Sequence, residues 1–80
     1  MMSSDLPPLP NEPQPGLYRH YKGNEYRVLG LARHSETLEP LVVYQALYGE
    51  RGTWVRPATM FVETGEVGGR RVARFARVGD

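Results

Sequence analysis

The sequence predicts an all-β protein: a small five-stranded curled sheet or SH3-like barrel with one short helical turn before the last strand. Two observations carry this. Short runs rich in β-branched and aromatic residues recur at 17–22, 25–34, 41–48, 53–56 and 71–78, the composition that suits a pleated, half-buried surface. Glycine-bearing turn signals separate them at Gly23-Asn24, Gly49–Gly52 and Gly65–Gly69, and no segment reads as a helix of normal length.

Residues 1–15 hold five of the seven prolines, Pro7, Pro8, Pro10, Pro13 and Pro15. Proline lacks an N–H and fixes φ near −65°, so this stretch favours extended polyproline geometry. Few apolar residues accompany the prolines, which predicts a disordered tail over 1–15 and a folded domain over 16–80. Pro7 to Pro10 also matches the P-x-x-P pattern read by aromatic grooves.

Leu17–Lys22 and Glu25–His34 read as two strands joined by Gly23-Asn24, residues that tolerate the positive φ of a tight hairpin turn. A two-residue loop sets Lys22 opposite Glu25 and Tyr21 opposite Tyr26, with His20 and Arg27 on the other face. A polar connection, Ser35 to Glu39, ends at Pro40. Leu41–Tyr48 is apolar on both alternating faces, as in a central strand. If the Gly49–Gly52 turn is tight, Tyr48 opposes Thr53 and Tyr44 opposes Pro57, so Tyr44 and Trp54 fall on opposite faces. Pro57 stops the Thr53–Arg56 strand and opens a helical turn through Met60 and Phe61. Thr64–Gly69 reads as a loop and Arg71–Val78 as the last strand. Only four residues separate the third and fourth strands, too few for the longer helix usual there in an OB-type barrel, and closure would remove unpaired edges.

Eighty residues fit one domain. A chain this short buries only about 60% of its unfolded surface, so each large apolar side chain matters. There is no cysteine, which excludes disulfides and thiol chemistry and fits a reducing cytoplasm. No apolar run reaches membrane-spanning length, and the N-terminus lacks a basic start followed by an apolar stretch, so no membrane partner is expected. The net charge is +1, but residues 16–80 carry ten basic against seven acidic groups, and nine of the ten are arginine. Arginine recognises carboxylate and phosphate with a planar fork.

The residues offer little for catalysis. His20, His34 and Glu36 are the metal-ligand candidates, but a site needs three or four converging ligands. Ser35 beside His34 is no dyad, because strand neighbours point to opposite faces. Neither a paired-carboxylate motif nor a phosphate loop leading into a helix is present. The expectation is therefore no cofactor, no metal and no catalytic residue, with a metal-assisted enzyme or a His34–Glu36 acid–base pair as the remaining enzymatic reading. His34, Glu36 and Thr37 lie where a strand enters a loop, the usual place for function. With Tyr44, Trp54 and Arg56 they are the candidate ligand-binding residues, suited to a peptide or small anion. Arg56 could instead clamp Glu36 or Glu39. Arg71, Arg74 and Arg77 with exposed tyrosines offer the alternative of single-stranded nucleic acid, where rings stack bases and arginines meet phosphates.

Gly16-x-Tyr18-x-His20-Tyr21-Lys22-Gly23-Asn24-x-Tyr26-x-Val28 resembles the opening of a family of small bacterial proteins catalogued only as a domain of unknown function. The resemblance continues through Ala32-x-His34-Ser35-Glu36-Thr37, Val42-Val43-Tyr44-x-Ala46-Leu47-Tyr48-Gly49, Trp54-Val55-Arg56-Pro57-x-x-Met60-Phe61 and Arg74-Phe75. It spans residues 16 to about 77. It implies a small stand-alone β domain to which no activity is attached, and marks His20, Tyr21, Lys22, Tyr26, His34, Glu36, Thr37, Tyr44, Trp54, Arg56 and Pro57 as pattern residues.

Overall fold

The computed structural model describes residues 6–80. Seven strands and one helical turn follow in order: β1 Gly16–His20, β2 Glu25–Arg33, β3 Pro40–Ala46, β4 Thr53–Pro57, α1 Ala58–Phe61, β5 Thr64–Val67, β6 Arg70–Ala73 and β7 Phe75–Gly79. Five of the strands form an antiparallel sheet in the order β4-β3-β2-β1-β7, and β5 and β6 form a separate hairpin. The predicted five-stranded sheet with a helical turn before its last strand is present. Closure is not: β4 and β7 lie at opposite edges of an open sheet.

The expected glycine-rich loop over 64–69 is instead the strand β5 and the turn into β6. The expected single strand over 71–78 breaks at Arg74, whose N–H donates to the Glu63 carbonyl and whose carbonyl accepts from the Tyr21 N–H. One residue thus ties the small hairpin to the main sheet.

Both predicted hairpin registers are off by three residues, for one reason. The β1–β2 turn is not Gly23-Asn24 alone. The Gly23 N–H donates to the His20 carbonyl at 2.7 Å, and the His20 N–H to the Asn24 carbonyl at 2.8 Å, leaving Tyr21, Lys22 and Gly23 as a three-residue loop with Gly23 at φ 112°. Tyr18 therefore pairs with Tyr26 and Arg19 with Glu25. The β3–β4 turn is likewise longer, closed by Ala46 N–H to the Gly52 carbonyl at 3.0 Å. Tyr44 pairs with Trp54, not with Pro57. A shift by an odd number turns every side chain to the other face. His20 accordingly shares a face with Tyr18 and Tyr26, and Tyr44 shares one with Trp54.

In β2, a bulge at Leu29 keeps the burial pattern intact. Val28 pairs with Tyr44 and Gly30 with Val43, so Leu29 is the extra residue, and Val28 and Leu31 both face the core. That core is Tyr18, Val28, Val42, Tyr44, Ala58, Phe61 and Phe75, with Tyr26 and Leu31 against it. Phe61 is its plug. It stacks on Phe75 at 4.1 Å and 7° and meets Tyr18 edge-on at 5.6 Å.

The disordered tail expected over 1–15 lies partly outside the described residues. Within 6–15, Pro13 is buried. The Tyr18 hydroxyl donates to the Gln14 carbonyl at 2.8 Å, and Arg33 donates to the Pro7 carbonyl at 2.9 Å.

Candidate functional site

The candidate residues separate into two groups. His34, Glu36 and Thr37 belong to the β2–β3 connection. Tyr44, Trp54 and Arg56 lie on the core-bearing face of β3 and β4. No hydrogen bond, ion pair or ring contact joins the two groups.

The loop group is organised around one imidazole. His34 Nδ1 accepts from the Glu36 N–H at 3.1 Å and from the Thr37 N–H at 3.3 Å. Thr37 Oγ1 accepts from the Glu39 N–H at 3.2 Å. Main-chain bonds from His34 N–H to the Glu39 carbonyl and from Leu38 N–H to the His34 carbonyl close the loop. Side chains that accept from N–H groups two or three residues on stabilise turns. His34 Nδ1 and the Thr37 Oγ1 lone pair thus serve the loop itself, while the His34 Nε2 takes no part in it. The Glu36 side chain lies exposed in it.

The group on the core-bearing face is different. Val42 pairs with Arg56 and Tyr44 with Trp54, so Arg56 and Trp54 rise from the same face of the edge strand. The Arg56 guanidinium lies 5.8 Å from the Phe75 ring centre, and its Nε donates to the Tyr44 hydroxyl at 3.4 Å. The proposed clamp to Glu36 or Glu39 is not formed. Ion pairs among the described residues join Arg19 to Glu25, Arg74 to Glu63 and Arg77 to Asp80; none involves Arg56. A half-buried guanidinium is thus held by a ring face and a neutral hydroxyl, which hydrogen-bonds it without neutralising it.

Around it stand groups that the sequence reading left out. Phe75 meets His20 edge-on at 4.9 Å and Tyr26 at 5.5 Å. Tyr26 meets Tyr44 and Tyr48, each at 5.5 Å, and shares a 2.8 Å hydroxyl–hydroxyl hydrogen bond with Tyr48. Burial, then the bond to Tyr48, pushes the Tyr26 hydroxyl up to about 12. It therefore stays protonated and can donate. His20 Nδ1 accepts from the Lys22 N–H at 3.2 Å, which leaves the proton of the neutral ring on Nε2. Burial first, then the positive charges of Lys22, Arg74 and Arg56, lower the His20 pKa below its ordinary value. The site is electropositive, ringed by hydroxyls and floored by aromatic carbon. Correct hairpin loop lengths would have brought His20 to this face.

Two of the three arginines proposed to meet phosphate are already engaged. Arg74 lies 3.6 Å from Glu63, and Arg77 bonds Asp80 at 3.0 Å and the Pro15 carbonyl at 3.1 Å. Arg71 is exposed on β6 and pairs in register with Glu66 on β5. Among the described residues no three His, Asp or Glu side chains cluster at metal-binding spacing. No helix among them is long and apolar enough to cross a membrane.

Comparison with known proteins agrees with this architecture. The chain is similar to a protein of the DUF1653 family from Bordetella bronchiseptica, whose crystal structure it matches with a TM-score of 0.78 at 46% identity, over 85% of this chain and 90% of that one. No curated protein matches. The profile of the family described as "Protein of unknown function (DUF1653)" matches residues 16–77, nearly the whole sheet together with α1, and the chain belongs to that family.

Proposed function

We propose that this protein is a non-enzymatic binding module of the bacterial cytoplasm that takes a small anionic ligand or the carboxylate of a peptide at Arg56. The observation that carries the reading is the Arg56 guanidinium, half-buried over Phe75 and, among the described residues, hydrogen-bonded only to the Tyr44 hydroxyl. A buried or half-buried charge is normally paired. A ligand carboxylate would complete the pair through a bidentate contact, which is stronger than a neutral hydrogen bond. The Tyr44 hydroxyl, whichever of the hydrogen-bonded Tyr26 and Tyr48 hydroxyls keeps its proton free, and the Nε2–H of His20 are donors able to orient it. Trp54, on the same face of β4, is 60% exposed with its indole lying along Gly52, and could cover an apolar group of the ligand farther along the strand.

Arg56→Gln tests the reading. The substitution keeps a hydrogen-bonding amide and removes the charge. Binding of acetate or a short peptide with a free C-terminus, followed by amide NMR shifts, is expected to be lost while the far-UV spectrum is unchanged. Unaltered binding in that variant would refute the proposal.

A further inference from the structure

The two edges of the main sheet are built differently. β7 is irregular. Its register with β1 shifts between Leu17 and Tyr18, which leaves Val78 without a partner of its own, and the Arg77 side chain crosses to the Pro15 carbonyl. A bulge and a charge at the rim are ways of blunting an edge. β4 is regular: all five of its residues hold one register with β3. Among the described residues nothing pairs with its outer rim, and Trp54 and Val55 are 60% and 59% exposed.

The hydrogen bond from Ala46 N–H to the Gly52 carbonyl fixes where the backbone groups of β4 point. Bonded and non-bonded pairs alternate along an antiparallel ladder. Trp54 and Arg56 therefore turn their N–H and C=O groups toward β3. Thr53 and Val55 turn theirs outward, and Pro57 turns out a carbonyl alone.

We infer that a second copy of this chain pairs with that rim, β4 antiparallel to β4, on a two-fold axis through Val55. Each Val55 N–H donates to the partner's Val55 carbonyl, and each Thr53 N–H to the partner's Pro57 carbonyl. Pro57, lacking an N–H, ends the ladder. On the core-bearing face each Trp54 stands opposite the partner's Arg56, the favourable pairing of an indole with a guanidinium. The neighbouring registers lack this match. Centring the axis on Arg56 sets like charges face to face, which is unfavourable. Centring it on Trp54 sets each Arg56 opposite Gly52, away from any ring. The pairing does not depend on a ligand at Arg56, because guanidinium stacks through its face and hydrogen-bonds through its edge. Five residues a side make a small interface, so association is weak and concentration-dependent.

Sedimentation velocity and Trp54 emission over a wide dilution range test the pairing, since the chain has one tryptophan. A reversible monomer–dimer equilibrium is expected, with emission shifting to the blue as the dimer forms. Val55→Pro removes only an outward N–H, the position where a strand tolerates proline, and is expected to abolish the dimer with the far-UV spectrum retained. Should that variant fail to fold, Val55→Lys makes the same test by placing two like charges on the axis. Trp54→Ala is expected to weaken association about tenfold or more, while Val78→Lys on the other edge leaves it unchanged. A wild-type chain that stays monomeric at every concentration overturns the inference. So does a folded Val55→Pro or Val55→Lys variant that still dimerises.

Discussion

Removing the Phe61 ring tests how this thin core is held. α1 has four residues and no side-chain cap, and an isolated turn of helix does not persist in water. What holds it is burial: Phe61 is 1% exposed, stacked on Phe75 and edge-on to Tyr18. Phe→Ala in a core costs about 3–5 kcal/mol, and this ring meets aromatic partners on two sides. A domain of this size has a total stability of about 4–12 kcal/mol, scaled per residue. Phe61→Ala is thus expected to remove much or all of the stability, with α1 released from the sheet. Phe61→Leu refills most of the volume and costs about 1.5 kcal/mol or somewhat more. Met60→Ala, one residue earlier and exposed, changes stability by less than about 0.5 kcal/mol. Urea unfolding followed by far-UV circular dichroism reads all three. If Phe61→Ala and Met60→Ala fell within about 1 kcal/mol of each other, Phe61 would not be the plug described here.

Three further expectations follow from the site and its turns. His34→Ala leaves the Glu36 and Thr37 N–H groups without their acceptor and is expected to cost about 1 kcal/mol, with faster amide exchange confined to residues 35–39; unchanged protection there would remove the imidazole's organising role. Tyr48→Phe takes away the bond that helps raise the Tyr26 pKa from 10 to about 12; phenolate absorbance during alkaline titration should show Tyr26 ionising earlier, yet still above its ordinary value because burial, the first cause, remains. The His20 pKa is lowered in the folded state, so the unfolded chain binds the proton more readily. Its contribution to stability is therefore complete above 6.5 and is lost as pH falls from there through the lowered folded value. Arg56→Gln removes one of the charges that depress it, so imidazole NMR titration should show the His20 pKa rising in that variant, and a fall would contradict the assigned proximity.

Local chemistry made much of the fold readable. Alternation marked the strands of the main sheet, and Pro57 marked the passage from strand to helical turn. What failed was counting through loops. Gly23-Asn24 has the composition of a two-residue turn, but the Tyr21-Lys22-Gly23 loop is stabilised by His20 Nδ1 accepting from Lys22, a contact no turn rule anticipates. Between β3 and β4, positive φ at both Gly49 and Arg51 lengthens the connection. Each error is odd, and each therefore moved a candidate side chain to the wrong face. Tyr44, Trp54 and Arg56 were recognisable as candidates from residue type, and the structure places them on one face. His34 does not join them, because it lies in the β2–β3 loop and makes no hydrogen bond or ring contact with that group. Phe75 and Tyr26 went unassigned because a site assembled across five strands leaves no contiguous motif.

The carboxylate site proposed at Arg56 can be tested directly. The most direct measurement compares one short peptide in two forms, with a free C-terminal carboxylate and as its amide, titrated into the wild-type protein at low salt and followed by Arg56 Nε, Trp54 indole and backbone NMR shifts. The carboxylate form alone is expected to produce saturable shifts at Arg56, Trp54 and the residues around Phe75. Equal shifts from both forms, or shifts that bypass Arg56, would contradict the proposal.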